Sequence, residues 1–348
     1  MSRRPRAASA LVVLAIPVLL TACGGSSGPS GTSTSTSTST GAGAGAGLRT
    51  VKIILDWTPN TNHTGLYAAV AKGFYAKHGL NVKIVQPGQS DPAALVAADK
   101  VPFGVGYQEA LTEARAEGAP LVSLAAVIQH NTSGFASPAD RGLTRPRDYA
   151  GHTYGSYGGA IEVPMLKSIM ASDGGDSSRV KTVSVGDADF LTATKRGIDL
   201  AWIYYGWDGI NAELHNQPLN IQYVRDYDKA LDFYTPIIMT NEHEISSDPA
   251  LVSAFVAATS EGYTWAAQHP ADAAAVLLKA VPDLDAALVT RSQAWLSPRY
   301  QADAARWGEQ KPAVWSNFAT WLYQHKILKS AVDVSTAYTN TFLPKATK

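Results

Sequence analysis

The chain has 348 residues, 29 basic and 29 acidic side chains and one cysteine. A single cysteine excludes an internal disulfide and any multi-cysteine metal or iron–sulfur site within the chain. Balanced charge, with lysines and arginines that do not cluster among aromatics, argues against nucleic acid.

The first residues carry Arg3, Arg4 and Arg6, followed by an apolar run from Leu11 to Leu20, too short for a good spanning helix, and then Leu20-Thr21-Ala22-Cys23. This pattern predicts a lipoprotein signal peptide over 1–22, with Cys23 as the acylated residue and the extracytoplasmic face of the membrane as the destination. Its removal takes away three arginines and no acid, leaving the remainder slightly acidic. Residues 23–47, a Ser/Thr repeat followed by a Gly/Ala repeat, hold no bulky apolar side chain and predict a flexible tether. About 300 residues then remain, long for one core and comfortable for two lobes.

Val51 to Leu55 is an apolar run of strand type that breaks at Asp56-Trp57 and enters a polar loop containing Pro59. Leu66, Tyr67, Val70 and Phe74 fall at helical spacing, Gly79 suits a left-handed stop, and Asn81 to Gln86 alternates like a strand. In a parallel β-α-β unit a ligand is expected beyond the carboxyl end of the first strand, which is where Asp56, Trp57 and His63 would lie. An acid that accepts from an amino group and an indole that stacks on a ring suit a small, flat, polar heterocycle.

The alternation continues: a helix over Asp91–Asp99, a strand over Phe103–Gly106, a helix over Gln108–Glu117, and a near-continuous apolar strand over Leu121–Ile128, expected to be of the covered parallel type. A second series has strands at His152–Ser156, Val180–Val185, Ile198–Tyr205, Ile221–Val224 and Thr235–Thr240, and helices at Ile161–Ala171 and Asp189–Arg196. From Asp248 onward the pattern is helical and interrupted by prolines, predicting a tail that returns to cover the first lobe. The fold class is therefore α/β, with lobe 2 (136–240) inserted in lobe 1 (48–135 plus 241–348). Crossings are expected near Ser133–Ser137 and Thr240–Ile245, with a cleft between the lobes.

Other candidates for that cleft stand where strands end. Tyr107 or Gln108 could face it, although Gln108 and Glu109 read equally as helix caps. Asn131 could bind ligand or hold hinge backbone. Glu162, behind a glycine-rich turn whose backbone could take an anion, could accept from a ligand amine or serve the helix dipole. One of Tyr204 or Trp207 could complete a ring sandwich, and Tyr234 precedes the returning strand. No His, Asp and Glu grouping has metal spacing, and no cofactor is expected.

The stretches LDWTPNTNHTGLYAAVAKGFYAKHGL, GYQEALTEAR, AAVIQHNTSGFAS, AWIYYGWDGI, YTPIIMTNEH and YQADAARWGE resemble the formylaminopyrimidine-binding family of thiamin-precursor ABC importers, which is shared with a fungal pyrimidine synthase. The resemblance runs from about Val51 to Pro344. It implies a two-lobed periplasmic-binding-protein fold of the second type and a ligand such as N-formyl-4-amino-5-aminomethyl-2-methylpyrimidine. It also implies a permease with its ATPase as partners, and a monomer that is not an enzyme. The synthase branch requires a cysteine-rich iron-binding stretch, whose approximate place holds Asp232-Phe233-Tyr234-Thr235-Pro236 here. Other relatives on this fold carry sulfonates, nitrate or riboflavin. Asp56 and Glu162 would repel an anion, whereas riboflavin is another flat heterocycle.

Overall fold

The computed structural model describes residues 47–186 and 188–346, so the expected signal peptide, Cys23 and almost all of the tether lie outside the described residues. Among the described residues ten strands form two five-stranded sheets. They are β1 (Arg49–Ile54), β2 (Leu80–Val85), β3 (Phe103–Gly106), β4 (Leu121–Ala126), β5 (Ser133–Pro138), β6 (Thr153–Ser156), β7 (Lys181–Ser184), β8 (Leu200–Tyr204), β9 (Leu219–Tyr223) and β10 (Ile237–Asn241). The first sheet has the order β2-β1-β3-β10-β4 and the second β7-β6-β8-β5-β9.

Both sheets share one plan. Three strands run parallel, and the fourth runs against them: β10 in the first sheet, β5 in the second. The reason is connectivity. β5 arrives from the first sheet and β10 from the second, so each starts at the side facing the other sheet and must run away from it. The parallel strands therefore all end toward the gap between the sheets.

Strand membership corrects the expected crossings. β5 already begins at Ser133 in the second sheet and Thr240 already lies inside β10 in the first, so the chain passes between sheets at 127–132 and again at 224–236. The two passages are fastened together. Asn131 donates its backbone N–H to Asp232 Oδ1 (2.8 Å) and its side-chain amide to the Leu231 carbonyl (2.9 Å), while its Oδ1 accepts from Ser133 N–H (2.8 Å). His130 stands between two acids, Nδ1 at 2.7 Å from Asp232 and Nε2 at 3.0 Å from Asp303.

The strand at Leu121–Ala126 is also not of the parallel type. β4 pairs within the sheet only with β10, in antiparallel sense, at one end of the strand order. Its complete burial comes from the C-terminal tail, which closes the free edge: Ser123 N–H bonds to the Ala337 carbonyl (2.8 Å) and Ala126 N–H to that of Gly308 (3.1 Å). A covered edge and a central strand leave the same apolar signature.

Prolines divide the helices of the tail, Pro282 between Pro270–Ala280 and Ala286–Leu296, and three of them stand at a helix start. Pro249, Pro270 and Pro312 each open one, at Pro249–Gln268, Pro270–Ala280 and Pro312–Gln324, where a missing N–H costs nothing. Asp248 caps the longest through Leu251 N–H (2.9 Å). That helix lies hard against Thr64–Ala71: a Cβ at Gly262 would stand 2.2 Å from the Gly65 carbonyl oxygen, and one at Gly65 2.2 Å from the Tyr263 ring. The last helix serves both sheets, with Trp315 and Ala319 in the apolar cluster of the first and Phe318, Trp321 and Leu322 in that of the second. No helix among the described residues is long and apolar enough to cross a membrane.

Candidate functional site

In the first sheet β1 and β3 are parallel neighbours with Ile53 opposite Phe103 and Ile54 opposite Gly104. The residues that follow these strands, Asp56 and Trp57 on one and Tyr107 on the other, consequently leave the sheet side by side. In the second sheet β6 and β8 are parallel neighbours, which brings Tyr157 and Tyr204 to the matching end. The two ends meet: the Tyr204 hydroxyl lies 3.2 Å from the Thr235 hydroxyl, two residues ahead of the β10 position opposite Gly106.

Asp56 is the centre of this region. Asn60 turns the loop, its Oδ1 accepting from Asn62 N–H (2.9 Å), and its own N–H donates to His63 Nδ1 (3.2 Å). With Nδ1 accepting, Nε2 carries the ring proton and donates to Asp56 Oδ1 at 2.6 Å. The Tyr107 hydroxyl also stands near Asp56 and helps to lower its carboxyl. Burial pushes the Asp56 carboxyl up, but the His63 ring and Tyr107 outweigh it and hold the group below its ordinary range. The result is a buried acid that stays ionised. Burial and the Asp56 charge raise the Tyr107 phenol well above its usual value, and burial and Glu109 do the same for Tyr204, so both remain O–H donors. Asp56 and Tyr107 line a cavity of about 110 Å³ with Pro92, Val105, Ala110 and Met239. A cavity of roughly 150 Å³ accepts benzene, so this one is close to the size of a single six-membered ring.

The other sequence candidates separate into different roles. Trp57 is 52% exposed, free to cover a ring at the mouth. His63, wholly buried with both nitrogens engaged, positions Asp56 and has nothing left for a ligand. Gln108 and Tyr234 lace the second passage to the first sheet. Gln108 Oε1 accepts from Tyr234 N–H (2.7 Å), its N–H reaches the Tyr234 carbonyl (3.1 Å), and the Tyr234 hydroxyl accepts from Lys311 N–H (2.9 Å). Both side chains hold the chain to itself. Asn131 is consumed by the passages.

Glu162 is likewise occupied. Its carboxylate accepts from the Tyr154 hydroxyl, from Tyr157 N–H (3.0 Å) and from Gly159 N–H (2.6 Å), so the donors expected to greet an anion are satisfied by the chain itself. The turn so formed presents Tyr157, 39% exposed. Trp207 is half-buried and packs on Ala274, Leu277 and Val289 of the C-terminal helices. It joins the second sheet to those helices, as does Ser292, whose hydroxyl donates to the Gly206 carbonyl and also bonds Thr61.

Two acids were missed. Glu109, in the first turn of the helix Gln108–Ala116, is buried, and burial raises its carboxyl to about 8, with Glu113 and Asp56 adding to the shift. Asp208 accepts from Tyr204 N–H (3.2 Å) and is raised by burial to about 6. The sequence signal for Glu109 was an acid at a helix start, which a dipole role explains equally well.

Two α/β sheets whose parallel strands end toward each other, with one half of the chain inserted in the other, define a periplasmic-binding-protein fold. The alkanesulfonate-binding protein SsuA from Xanthomonas axonopodis pv. citri, solved with MOPS, shares it at a TM-score of 0.65 and 14% identity, over 85% of this chain and 99% of that one. The chain belongs to the NMT1/THI5-like family, whose sequence model matches residues 60–273. It is 28% identical over 302 residues to the formylaminopyrimidine-binding protein of Halalkalibacterium halodurans, covering 84% of this chain and 90% of the relative. It is 24% identical over 308 residues to the 4-amino-5-hydroxymethyl-2-methylpyrimidine phosphate synthase of Legionella pneumophila, covering 84% and 92%.

Proposed function

We propose that the protein is an extracytoplasmic solute-binding component of an ABC importer, not an enzyme. It captures a thiamin-derived aminopyrimidine, N-formyl-4-amino-5-aminomethyl-2-methylpyrimidine or a close analogue, between two hinged lobes built on the two sheets, and delivers it to a permease and its ATPase. The observation that carries the reading is Asp56: a buried, ionised acceptor fixed by His63 and Tyr107 at a strand end, next to an exposed indole. Such a group takes an exocyclic amine and repels a sulfonate. Cys23, lipidated, would hold the protein at the membrane.

The test is calorimetry on the tether-free domain with the formylaminopyrimidine, riboflavin and an alkyl sulfonate. The pyrimidine is expected to bind most tightly, and Asp56→Asn, which keeps an acceptor for His63, to weaken it at least about tenfold, since a hydrogen bond to a charged group is worth about 1.5–3 kcal/mol. Tighter binding of riboflavin, or unchanged affinity in the variant, would overturn the reading. Cofactor-dependent turnover of the pyrimidine on addition of iron and pyridoxal phosphate would replace it by the synthase reading. Replacement of Cys23 by Ala should move the full-length protein from the membrane to the soluble fraction.

A further inference from the structure

We propose that Glu109 is a second ligand-reading group, a neutral carboxylic acid whose O–H donates to a ring nitrogen while Asp56 accepts from an amino group of the same heterocycle. The inference rests on the binding reading above and deepens it, from an amine-bearing ring to a ring that must also offer an unprotonated nitrogen.

Glu109 Oε2 is buried and has no partner. Its carboxyl is not among the ion pairs of the described residues, and the charged groups that act on it, Glu113 one turn along its own helix and Asp56 across from it, are both acids. An ionised carboxylate in that place would be an unpaired buried charge beside a second one of the same sign, a combination that proteins resolve by protonation. A protonated carboxyl carries one O–H donor, and a donor without an acceptor in a buried site is an unmet demand.

Placement argues that a ligand meets it. Glu109 follows Tyr107 by two residues, beside the strand end that carries Asp56, and it stands near enough to the phenols of Tyr107 and Tyr204 to raise both when ionised. Tyr107 belongs to the first sheet and Tyr204 to the second, so the acid lies toward the gap where the two strand ends meet. Asp56 and Glu109 are then a pair held in opposite protonation states by their surroundings. The first has His63 and Tyr107 as donors, whereas the second has only its own backbone N–H and keeps Oε2 unpartnered. One accepts and the other donates, and an aminopyrimidine needs both. A carbonyl in place of the amine, or a carbon in place of the ring nitrogen, leaves one member of the pair without a partner.

Two measurements test this. The first needs no ligand: difference infrared spectroscopy of the free protein, wild type against Glu109→Gln, should show a carboxylic C=O band that disappears with a midpoint near pH 8 in the wild type only. A carboxylate already ionised at pH 6 would overturn the proposal. The second is affinity for a 4-aminopyrimidine against pH. In the wild type it should fall about tenfold from pH 7 to pH 9 as Glu109 gives up its proton, because both the donor and the neutrality of the site are lost. Glu109→Gln, whose amide still donates, should bind about threefold more weakly at pH 7 and lose the alkaline fall. Glu109→Ala should bind about tenfold more weakly at pH 7. An aminobenzene analogue lacking the ring nitrogens should bind Glu109→Ala and wild type alike. Wild-type binding with a flat alkaline profile, or an alkaline fall that persists in Glu109→Gln, overturns the role of Glu109 and leaves the pyrimidine reading standing. No binding of the aminopyrimidine at any pH overturns both.

Discussion

Asp56 and Glu162 are both buried acids just past the ends of parallel strands, one in each sheet, and their surroundings make them opposites. Glu162 gathers three donors from its own turn, the Tyr154 hydroxyl and the N–H groups of Tyr157 and Gly159, and the turn closes on it. Asp56 takes donors from His63 and Tyr107 and remains on the wall of a cavity. A buried acid whose lone pairs are consumed within eight residues of chain is architecture. One that is anchored on one side and open on the other is available for recognition.

The contrast can be broken most forcefully at Glu162. Replacement by Ala leaves the buried Tyr154 hydroxyl and two N–H groups of the turn without their acceptor, so urea unfolding should show a loss of about 1–3 kcal/mol. Asp56→Asn should do the reverse, reducing affinity while the urea midpoint stays near wild type. Similar stability losses in both variants would erase the distinction. A second variant reaches the Asp56 side through its support. Gly262→Ala forces a methyl against the Gly65 carbonyl and pushes away the helix that begins directly after His63, with an expected cost of about 1–3 kcal/mol and a weaker site.

The smallest effect concerns the passages. Hydrogen bonding to Asp232 is the largest influence raising the His130 pKa, with Asp303 contributing. A raised folded-state value means that the stabilisation is complete below the ordinary imidazole pKa of about 6.5 and disappears as pH rises through the higher folded-state value. His130 is more than a third exposed and solvent screens it, so the contribution should stay below about 1 kcal/mol. The urea midpoint of wild type should exceed that of His130→Gln at about pH 5.5 and converge with it near pH 8.5; a constant difference would assign His130 to packing instead.

The sequence made the strand ends legible because an apolar run that breaks into Asp-Trp, or into Tyr-Gln-Glu, marks both a strand and the direction of its exit. It could not show which polar groups were already engaged. Gln108 finds Tyr234 across 126 positions and Asn131 finds Asp232 across 101, so residues with the composition of a binding site turn out to bind the chain itself. The crossings were misplaced for a related reason: β5 and β10 are as buried as their neighbours, and a strand changing sheets leaves no mark in its own residues. Glu109 was hidden because an acid in the first turn of a helix has an ordinary explanation until its buried oxygen is seen to lack a partner.

The stapling of residue 131 to residues 231 and 232 also constrains mechanics. Two tethers bonded to each other resist sliding independently, so a separation of the halves that keeps the staple intact would be a swing about a line near that junction. Displacement in a swing grows with distance from its axis. Tyr204 and Thr235, joined close to the second tether, would part least, and the portal would widen from its far rim inward, the order in which a departing molecule must pass.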